Sequence, residues 1–284
     1  VRDAVRSRAA LVATAVLVLT FALVAYGAGA LARFRSAVPT DGAGPAGGAP
    51  GAGAAGAAGS APTATTADFV GAVAGSPGWF LGAVVALVGL VLSNEAIAGE
   101  RATGSIKILL GLPHGRGDVV AGKLVGRAAV VAAAVAVATV AAGAVVALTY
   151  DAVDLVALLG LGIATVLLGV SYVGVGVGMS AVVASTSRAT AAATGFFLVG
   201  GCEWDSGLVP RAVRYLGTGE ILPVTSPPWD DYLALASPGK AHGALLDAAD
   251  PLAARPLFAL AVLVGWTVLP PALGYLRFRG ADLT

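Results

Sequence analysis

Long apolar runs constrain the fold of this chain more than any other feature of its sequence. A helix needs about 20 apolar residues to cross the hydrocarbon core of a bilayer. Residues 9–31 form such a run without a single charge. Five further apolar runs follow, and they lie at 79–98, 124–150, 155–184, 190–204 and 256–276. We therefore predict an all-α integral membrane protein with six transmembrane helices, multi-pass in the cell membrane.

The composition is that of a single membrane domain over residues 1–284. Only 12% of the residues are charged, whereas a soluble domain carries about 25%. The net charge of +1 offers no case for nucleic-acid binding. The single cysteine, Cys202, excludes an internal disulfide bond and a multi-cysteine metal site, and we predict no metal site. Residues 36–67 are almost wholly Gly, Ala, Pro, Ser and Thr, which predicts a flexible extracytoplasmic loop.

The distribution of Lys and Arg predicts the orientation in the membrane. Cytoplasmic segments of membrane proteins carry an excess of Lys and Arg. With both termini in the cytoplasm, most of the 17 basic residues lie on the cytoplasmic side, namely Arg2, Arg6, Arg8, Arg101, Lys107, Arg116, Lys123, Arg127, Arg188, Arg277 and Arg279. Arg33 and Arg35 oppose this arrangement. The proline-rich segment 203–255 is then extracytoplasmic, and its short helices are expected to re-enter the membrane or lie on its surface.

The first apolar run also has features of a secretory signal peptide. Residues 28–30, Ala-Gly-Ala, resemble a cleavage site. The run is longer than the apolar core of a typical signal peptide, which has roughly 7–15 residues. We expect an uncleaved first span.

A charged hairpin at residues 94–123 separates the second and third spans. Thr103 or Ser105 can cap a short helix, and Lys107 lies on a different face of that helix from its apolar residues, which are Ile106, Leu109 and Leu110. Asp118 can cap the helix that leads into the third span. The pattern predicts a short amphipathic helix at the cytoplasmic membrane surface, followed by a sharp return.

The hairpin resembles one in the permease subunits of type-2 ATP-binding-cassette exporters. The residues that carry the resemblance are NEAIAGER and TGSIKILLGLPHGRGDVVAGKLVGR. Further similarity lies in VRDAVRSR at the start, in EWDSGLVP, PPW and LASPGKAHGALL, and in GYLRFRGADL near the end. The chain is closest to the branch grouped with multicopper-enzyme (nitrous-oxide-reductase) maturation permeases, commonly seen in haloarchaea.

The resemblance implies a coupling helix in the hairpin that fits a groove on a separate ATPase subunit. ATP and magnesium would bind that partner, and this chain would need no cofactor. The implied docking residues are Glu100, Arg101, Thr103, Gly104, Lys107, Leu109, Leu110, Leu112, Pro113, His114 and Arg116. Glu95, Asp118 and Lys123 would support the hairpin. The resemblance also implies export and a permease homodimer or heterodimer. The alternative for the hairpin is a solvated loop whose charges only set the topology. The alternatives for the whole chain are a secondary transporter or channel without an ATPase, or a membrane scaffold for enzyme maturation.

Residues 117–123 match the spacing of a phosphate-binding loop, but the match is incomplete. Leu124 stands where a Ser or Thr hydroxyl should contact magnesium. No strand is expected before the motif. We therefore predict that this chain is not an enzyme and has no catalytic residue. A membrane serine protease is also disfavoured, because His114 and His242 both lie in polar segments while the serine candidate, Ser180, lies in an apolar span.

Two further features have more than one interpretation. Ser171, Gly174 and Gly178 form a smooth face on the fourth span, and small residues four apart allow helices to approach closely. This face packs inside one subunit, or it forms an interface between permeases or the transport path. Separately, we expect Glu95 or Glu100 to pair with a basic residue near the hairpin, such as Arg101 or Lys107, because charges near the membrane are usually paired.

Overall fold

The computed structural model describes residues 8–37, 64–75, 79–106, 115–199, 208–219 and 228–280, and these form helices joined by short turns. An isolated bridge between Thr65 and Ala152 is the one β-type pairing in this part of the chain. The helices, in chain order, are α1 (Arg8–Ala37), α2 (Thr66–Ala74), α3 (Trp79–Ser93), α4 (Ala98–Ala102), α5 (Arg116–Thr149), α6 (Leu155–Val182), α7 (Thr186–Phe196), α8 (Leu208–Thr218), α9 (Pro228–Leu235), α10 (Pro238–Leu246) and α11 (Ala254–Arg279).

Five segments within the described residues are long and apolar enough to cross a membrane. They are Arg8–Arg35, Phe80–Ala102, Arg116–Thr149, Leu155–Val182 and Ala254–Arg279. They coincide with five of the six spans that hydropathy predicts, so the all-helical membrane fold is confirmed at this level. The remaining predicted span, 190–204, overlaps α7, which has only 11 residues, and residues 200–204 lie outside the described ranges. A sixth span therefore stays a prediction.

Helix α6 is the central helix of the bundle and packs against α3, α5 and α11. Glycines let the neighbouring helices approach it closely. A Cβ atom at Gly169 would lie 2.6 Å from Val131 Cγ1, and a Cβ atom at Gly174 would lie 2.6 Å from the carbonyl oxygens of Trp266 and Thr267. These distances leave no room for a side chain on either glycine.

Two prolines explain why carbonyl groups of α11 lie against Gly174. Pro270 and Pro271 lack the N–H groups that would otherwise bond to the carbonyls of Trp266 and Thr267 within the helix. Those two carbonyls instead face Gly174 of α6, which has no side chain, and this arrangement favours weak C–H···O contacts. Gly178 lies one turn further along α6, against the backbone of Pro270. The structure thus places Gly174 and Gly178, two of the three small residues on this face of the fourth span, in a contact within this chain.

One end of the bundle anchors the segment that precedes α2. The backbone of Ala64 bonds to Asp151 in both directions, through Ala64 N to Asp151 Oδ2 (2.8 Å) and Asp151 N to Ala64 O (2.9 Å). The Tyr150 hydroxyl donates to the carbonyl oxygen of Ala25 at 2.6 Å. The flexible loop predicted at residues 36–67 overlaps both neighbouring helices, because α1 ends at Ala37 and α2 begins at Thr66. Residues 38–63 lie outside the described ranges.

Helix α10 packs into the bundle at the same end. Ser237 caps it by accepting from Gly239 N at 3.2 Å, and Trp266 Nε1 of α11 donates to the carbonyl of Ala236 at 2.9 Å. His242 is buried, and its Nε2 lies 3.1 Å from Thr165 Oγ1 of α6. The burial of His242 agrees with the expectation that short helices of the segment 203–255 re-enter the membrane or lie on its surface. Ser180 lies fifteen residues beyond Thr165 along α6, about 22 Å away, so Ser180 and His242 do not form a serine–histidine pair.

Candidate functional site

The opposite end of the bundle carries a short bent segment, residues 93–104, which we call the elbow. Helix α3 ends at Ser93, whose hydroxyl donates to Gly89 O at 2.6 Å. The chain turns through residues 94–97, forms α4 and leaves it through Gly104, whose φ of 74° lies in the left-handed region that favours glycine. The elbow thus joins the second span to the predicted coupling helix. That helix is predicted to begin after Thr103 or Ser105 and to end before Pro113, and its residues beyond Ile106 lie outside the described ranges.

A serine of the central helix caps α4. Ser180 Oγ accepts hydrogen bonds from the backbone N–H groups of both Ile97 and Ala98, each at 2.9 Å. The first N–H groups of a helix have no partner within the helix, and a cap normally comes from a neighbouring side chain of the same segment. Here the cap comes from another membrane-spanning helix, so it joins the elbow to α6.

The elbow is joined to two further helices through charged side chains. Glu100 forms an ion pair with Lys123 of α5. The guanidinium group of Arg101 donates to the carbonyl of Val183 at 3.1 Å and lies 4.7 Å from the ring centroid of Phe278 in α11. A cation over an aromatic face within about 6 Å is attracted by the ring. Four helices of the bundle thus meet at the elbow: α3, α5, α6 and α11.

Arg116 strengthens the same junction from the start of α5. It donates to the carbonyl oxygens of Phe278 (2.8 Å) and Arg279 (2.9 Å), and its guanidinium carbon lies 5.6 Å from the Phe278 ring centroid. Arginine donors commonly satisfy the last carbonyls of a helix, which have no partner within it. The end of α11 is therefore held against the beginning of α5.

The structure confirms an ion pair in the hairpin and corrects one detail. Glu100 pairs with Lys123 of the same hairpin, and Glu95 is exposed and forms no ion pair with any described residue. Asp118 does not occupy the cap position. It lies in the first turn of α5 and accepts from Gly115 N at 2.8 Å, so Gly115 is the capping position.

The predicted docking residues divide between described and undescribed parts of the chain. Glu100, Arg101, Thr103 and Gly104 belong to the elbow, and Arg116 lies beside it. The others lie outside the described ranges: Lys107, Leu109, Leu110, Leu112, Pro113 and His114. Their role in docking stays a prediction.

The motif with phosphate-loop spacing is part of a helix. Residues 117–123 lie in the first two turns of α5, and Lys123 pairs with Glu100. A phosphate-binding loop instead surrounds its ligand with free backbone N–H groups. The arrangement of these residues therefore gives no support to nucleotide binding at this site.

Sequence reasoning missed Ser180 and Phe278 as members of this junction. Ser180 has a signal that could have found it, because it is a hydroxyl side chain near the end of an apolar span. Phe278 stands between Arg277 and Arg279 at the end of the last span, which suggests a surface residue, yet it is fully buried. Its role depends on arginines more than 160 residues away in the chain.

Comparison with known proteins identifies the family. The family model for ABC-2 family transporter proteins matches residues 1–283. A protein of Stutzerimonas stutzeri, described as probable ABC transporter permease protein NosY, is 30% identical over 209 residues, which cover 68% of this chain and 74% of that protein. This relative is bacterial, and the haloarchaeal placement stays a prediction. With five long apolar segments among its described residues, this chain is a multi-pass plasma-membrane protein and belongs to the ABC-2 family of transporter proteins, the membrane subunits of ABC transporters.

Proposed function

We propose that this chain is the permease subunit of an ATP-driven exporter whose elbow transmits force from a separate ATPase. The observation that carries the proposal is the junction at the elbow, where side chains of α5, α6 and α11 contact a single short segment of the chain. A displacement of the neighbouring residues 107–114 would reach all of these helices through existing contacts.

The proposed orientation places the elbow in the cytoplasm. Basic residues of the described chain concentrate at this end, among them Arg101, Arg116, Lys123, Arg277 and Arg279. An excess of Lys and Arg marks the cytoplasmic side of a membrane protein. The six-span arrangement, with both termini cytoplasmic, follows if residues 190–204 cross the membrane.

The proposed division of labour assigns ATP and magnesium to the partner. The predicted coupling helix, with Leu110 and Leu112, would fit the groove of the ATPase, and a second permease copy would complete the transport path. Closure of the ATPase pair would move the elbow and, through it, the ends of α5, α6 and α11. This chain would contribute no covalent chemistry.

Co-purification tests the docking surface. The chain would be expressed with a candidate ABC ATPase subunit from the same organism, once as wild type and once with Leu110→Asp and Leu112→Asp together. We expect the double variant to lose the ATPase. The matched control changes Leu208 and Leu252 to Asp, because both are exposed near the opposite end of the bundle. Retained ATPase in the Leu110/Leu112 variant would overturn the docking assignment.

Cysteine labelling tests the orientation. In a Cys202→Ser background, single cysteines would replace Lys107 and Leu252. A membrane-impermeant maleimide should label position 252 in intact cells and position 107 only after the cells are opened. Labelling of position 107 in intact cells would place the elbow on the outside and contradict the proposal.

ATP dependence separates the proposal from the alternatives. A secondary transporter or channel would move its substrate without the ATPase. A maturation scaffold would bind its client whether or not ATP is hydrolysed. The permease proposal requires that an ATPase variant with an impaired catalytic site still binds the chain but stops transport.

A further inference from the structure

We propose that Ser180 is the positioning residue through which movement of the elbow reaches the central helix α6; this rests on the function proposed above. The hydroxyl bonds two consecutive backbone N–H groups of the elbow, and it lies 83 residues from Ile97 and 82 residues from Ala98 in the chain. These two hydrogen bonds are therefore a tertiary contact, and they take the role that a neighbouring side chain of the same segment has in an ordinary helix cap.

The elbow has no alternative partner for these two N–H groups within its own backbone. The amide before them, Ala96 N, donates to Ser93 O at 3.1 Å, and the amide after them, Gly99 N, donates to Glu95 O at 3.0 Å. Ile97 N and Ala98 N fall between these two turns, and Ser180 Oγ takes both. A displacement of the elbow away from α6 would break two hydrogen bonds at once.

Burial prevents water from replacing the hydroxyl. Ser180, Ile97 and Ala98 are each fully buried, and a buried N–H group without a partner is strongly unfavourable. The two charged contacts between the elbow and neighbouring helices are less buried. The Glu100–Lys123 pair is exposed by about a quarter on each side, and the Arg101–Val183 bond is only partly buried. Water is therefore closer to these two contacts than to the Ser180 contact.

Close packing beside Ser180 transmits the displacement further. A Cβ atom at Gly176 would lie 2.0 Å from Ser93 Oγ, so α6 directly contacts the end of α3. On another face, Gly174 and Gly178 bring the backbone of α11 against α6. We therefore infer one route of movement from the elbow through Ser180 to α6 and from α6 to α11, in addition to the direct contacts of Ser93 with Gly176 and of Arg101 with Phe278.

The test compares Ser180→Ala with Ser171→Ala in the complete permease–ATPase complex, reconstituted in lipid nanodiscs. Ser171 is a matched control, because it is also fully buried in α6 but donates only to Leu168 of its own helix, at 2.7 Å. In a Cys202→Ser background, an environment-sensitive fluorophore would be attached to a cysteine at Ala102 in the elbow or at Ile163, which is exposed on α6. The signal is the emission change when MgATP and vanadate trap the ATPase.

In the wild type and in Ser171→Ala, both fluorophores should respond. In Ser180→Ala, the response at Ala102 should remain, while the response at Ile163 should be largely lost, because the substitution removes both hydrogen bonds between Ser180 and the elbow. Ser180→Cys, which keeps the volume of the side chain but accepts hydrogen bonds weakly, should behave like Ser180→Ala and serves if the alanine variant does not fold. Ser180→Thr, which keeps the hydroxyl, should restore the response.

The possible failures are distinguishable. Full responses at both positions in Ser180→Ala and Ser180→Cys would overturn the role of Ser180 and leave the permease function standing. Absence of a response at Ala102 in the wild type would show that the ATPase does not move the elbow. That result would refute the proposed function, and the role of Ser180 with it.

Discussion

Gly178→Ala tests whether the approach of α6 to α11 is as close as the structure shows. A Cβ atom at this position would lie 2.4 Å from the carbonyl carbon of Pro270 and 2.5 Å from its oxygen. Both atoms belong to backbone, so no side-chain rotation can relieve the contact. The two helices would have to separate by about 1 Å to restore an ordinary contact distance of about 3.5 Å.

The magnitude follows from two opposing terms. Overpacking of a well-packed interior costs about 1–3 kcal/mol, and a contact with rigid backbone belongs at the upper end of that range. Replacing Gly by Ala within a helix recovers up to about 1 kcal/mol of helix propensity. We expect a net loss of about 2 kcal/mol in the free energy of unfolding, which lowers the folding equilibrium constant by roughly thirtyfold.

The assay is unfolding by sodium dodecyl sulfate in mixed micelles, followed by tryptophan fluorescence. Gly160→Ala is the matched control, because Gly160 is also in α6, is exposed and has no atom within 4 Å of its added Cβ. The control should keep or slightly raise the stability. If Gly178→Ala proves as stable as Gly160→Ala, the close contact between α6 and α11 is absent and the explanation of the two prolines in α11 fails with it.

Three further predictions concern contacts at both ends of the bundle. Glu100→Gln and Lys123→Gln should each lower stability in the same assay, because each leaves an unpaired, partly buried charge, and the exchanged pair, Glu100→Lys with Lys123→Glu, should recover most of the loss; additive losses in the exchanged pair would contradict the ion pair. Tyr150→Phe should cost about 1 kcal/mol by removing the hydrogen bond to Ala25. Arg116→Ala should remove both hydrogen bonds that Nη1 donates to the last carbonyls of α11, and amide exchange over 270–280 should accelerate, whereas exchange unchanged from wild type would show that Arg116 does not hold that helix end.

The elbow shows where sequence reasoning reached its limit. The charged residues at 94–123 indicate a structured hairpin, and its resemblance to type-2 permeases implies a partner. The partner of Glu100 could not be chosen from the sequence, because Arg101 and Lys107 are nearer in the chain than Lys123. The choice depends on the angle between α4 and α5, which the packing of both helices decides.

The sequence by itself determined that this chain is a helical membrane protein with an ABC-2 family pattern. Continuous apolar runs are sufficient for that, since in a bilayer each run must satisfy its backbone hydrogen bonds within its own helix. The tertiary structure decided which polar side chains meet: Ser180 with the elbow, His242 with Thr165, and two arginines with Phe278. Such contacts join positions far apart in the chain, and helix packing brings them together, so no local pattern of residues predicts them.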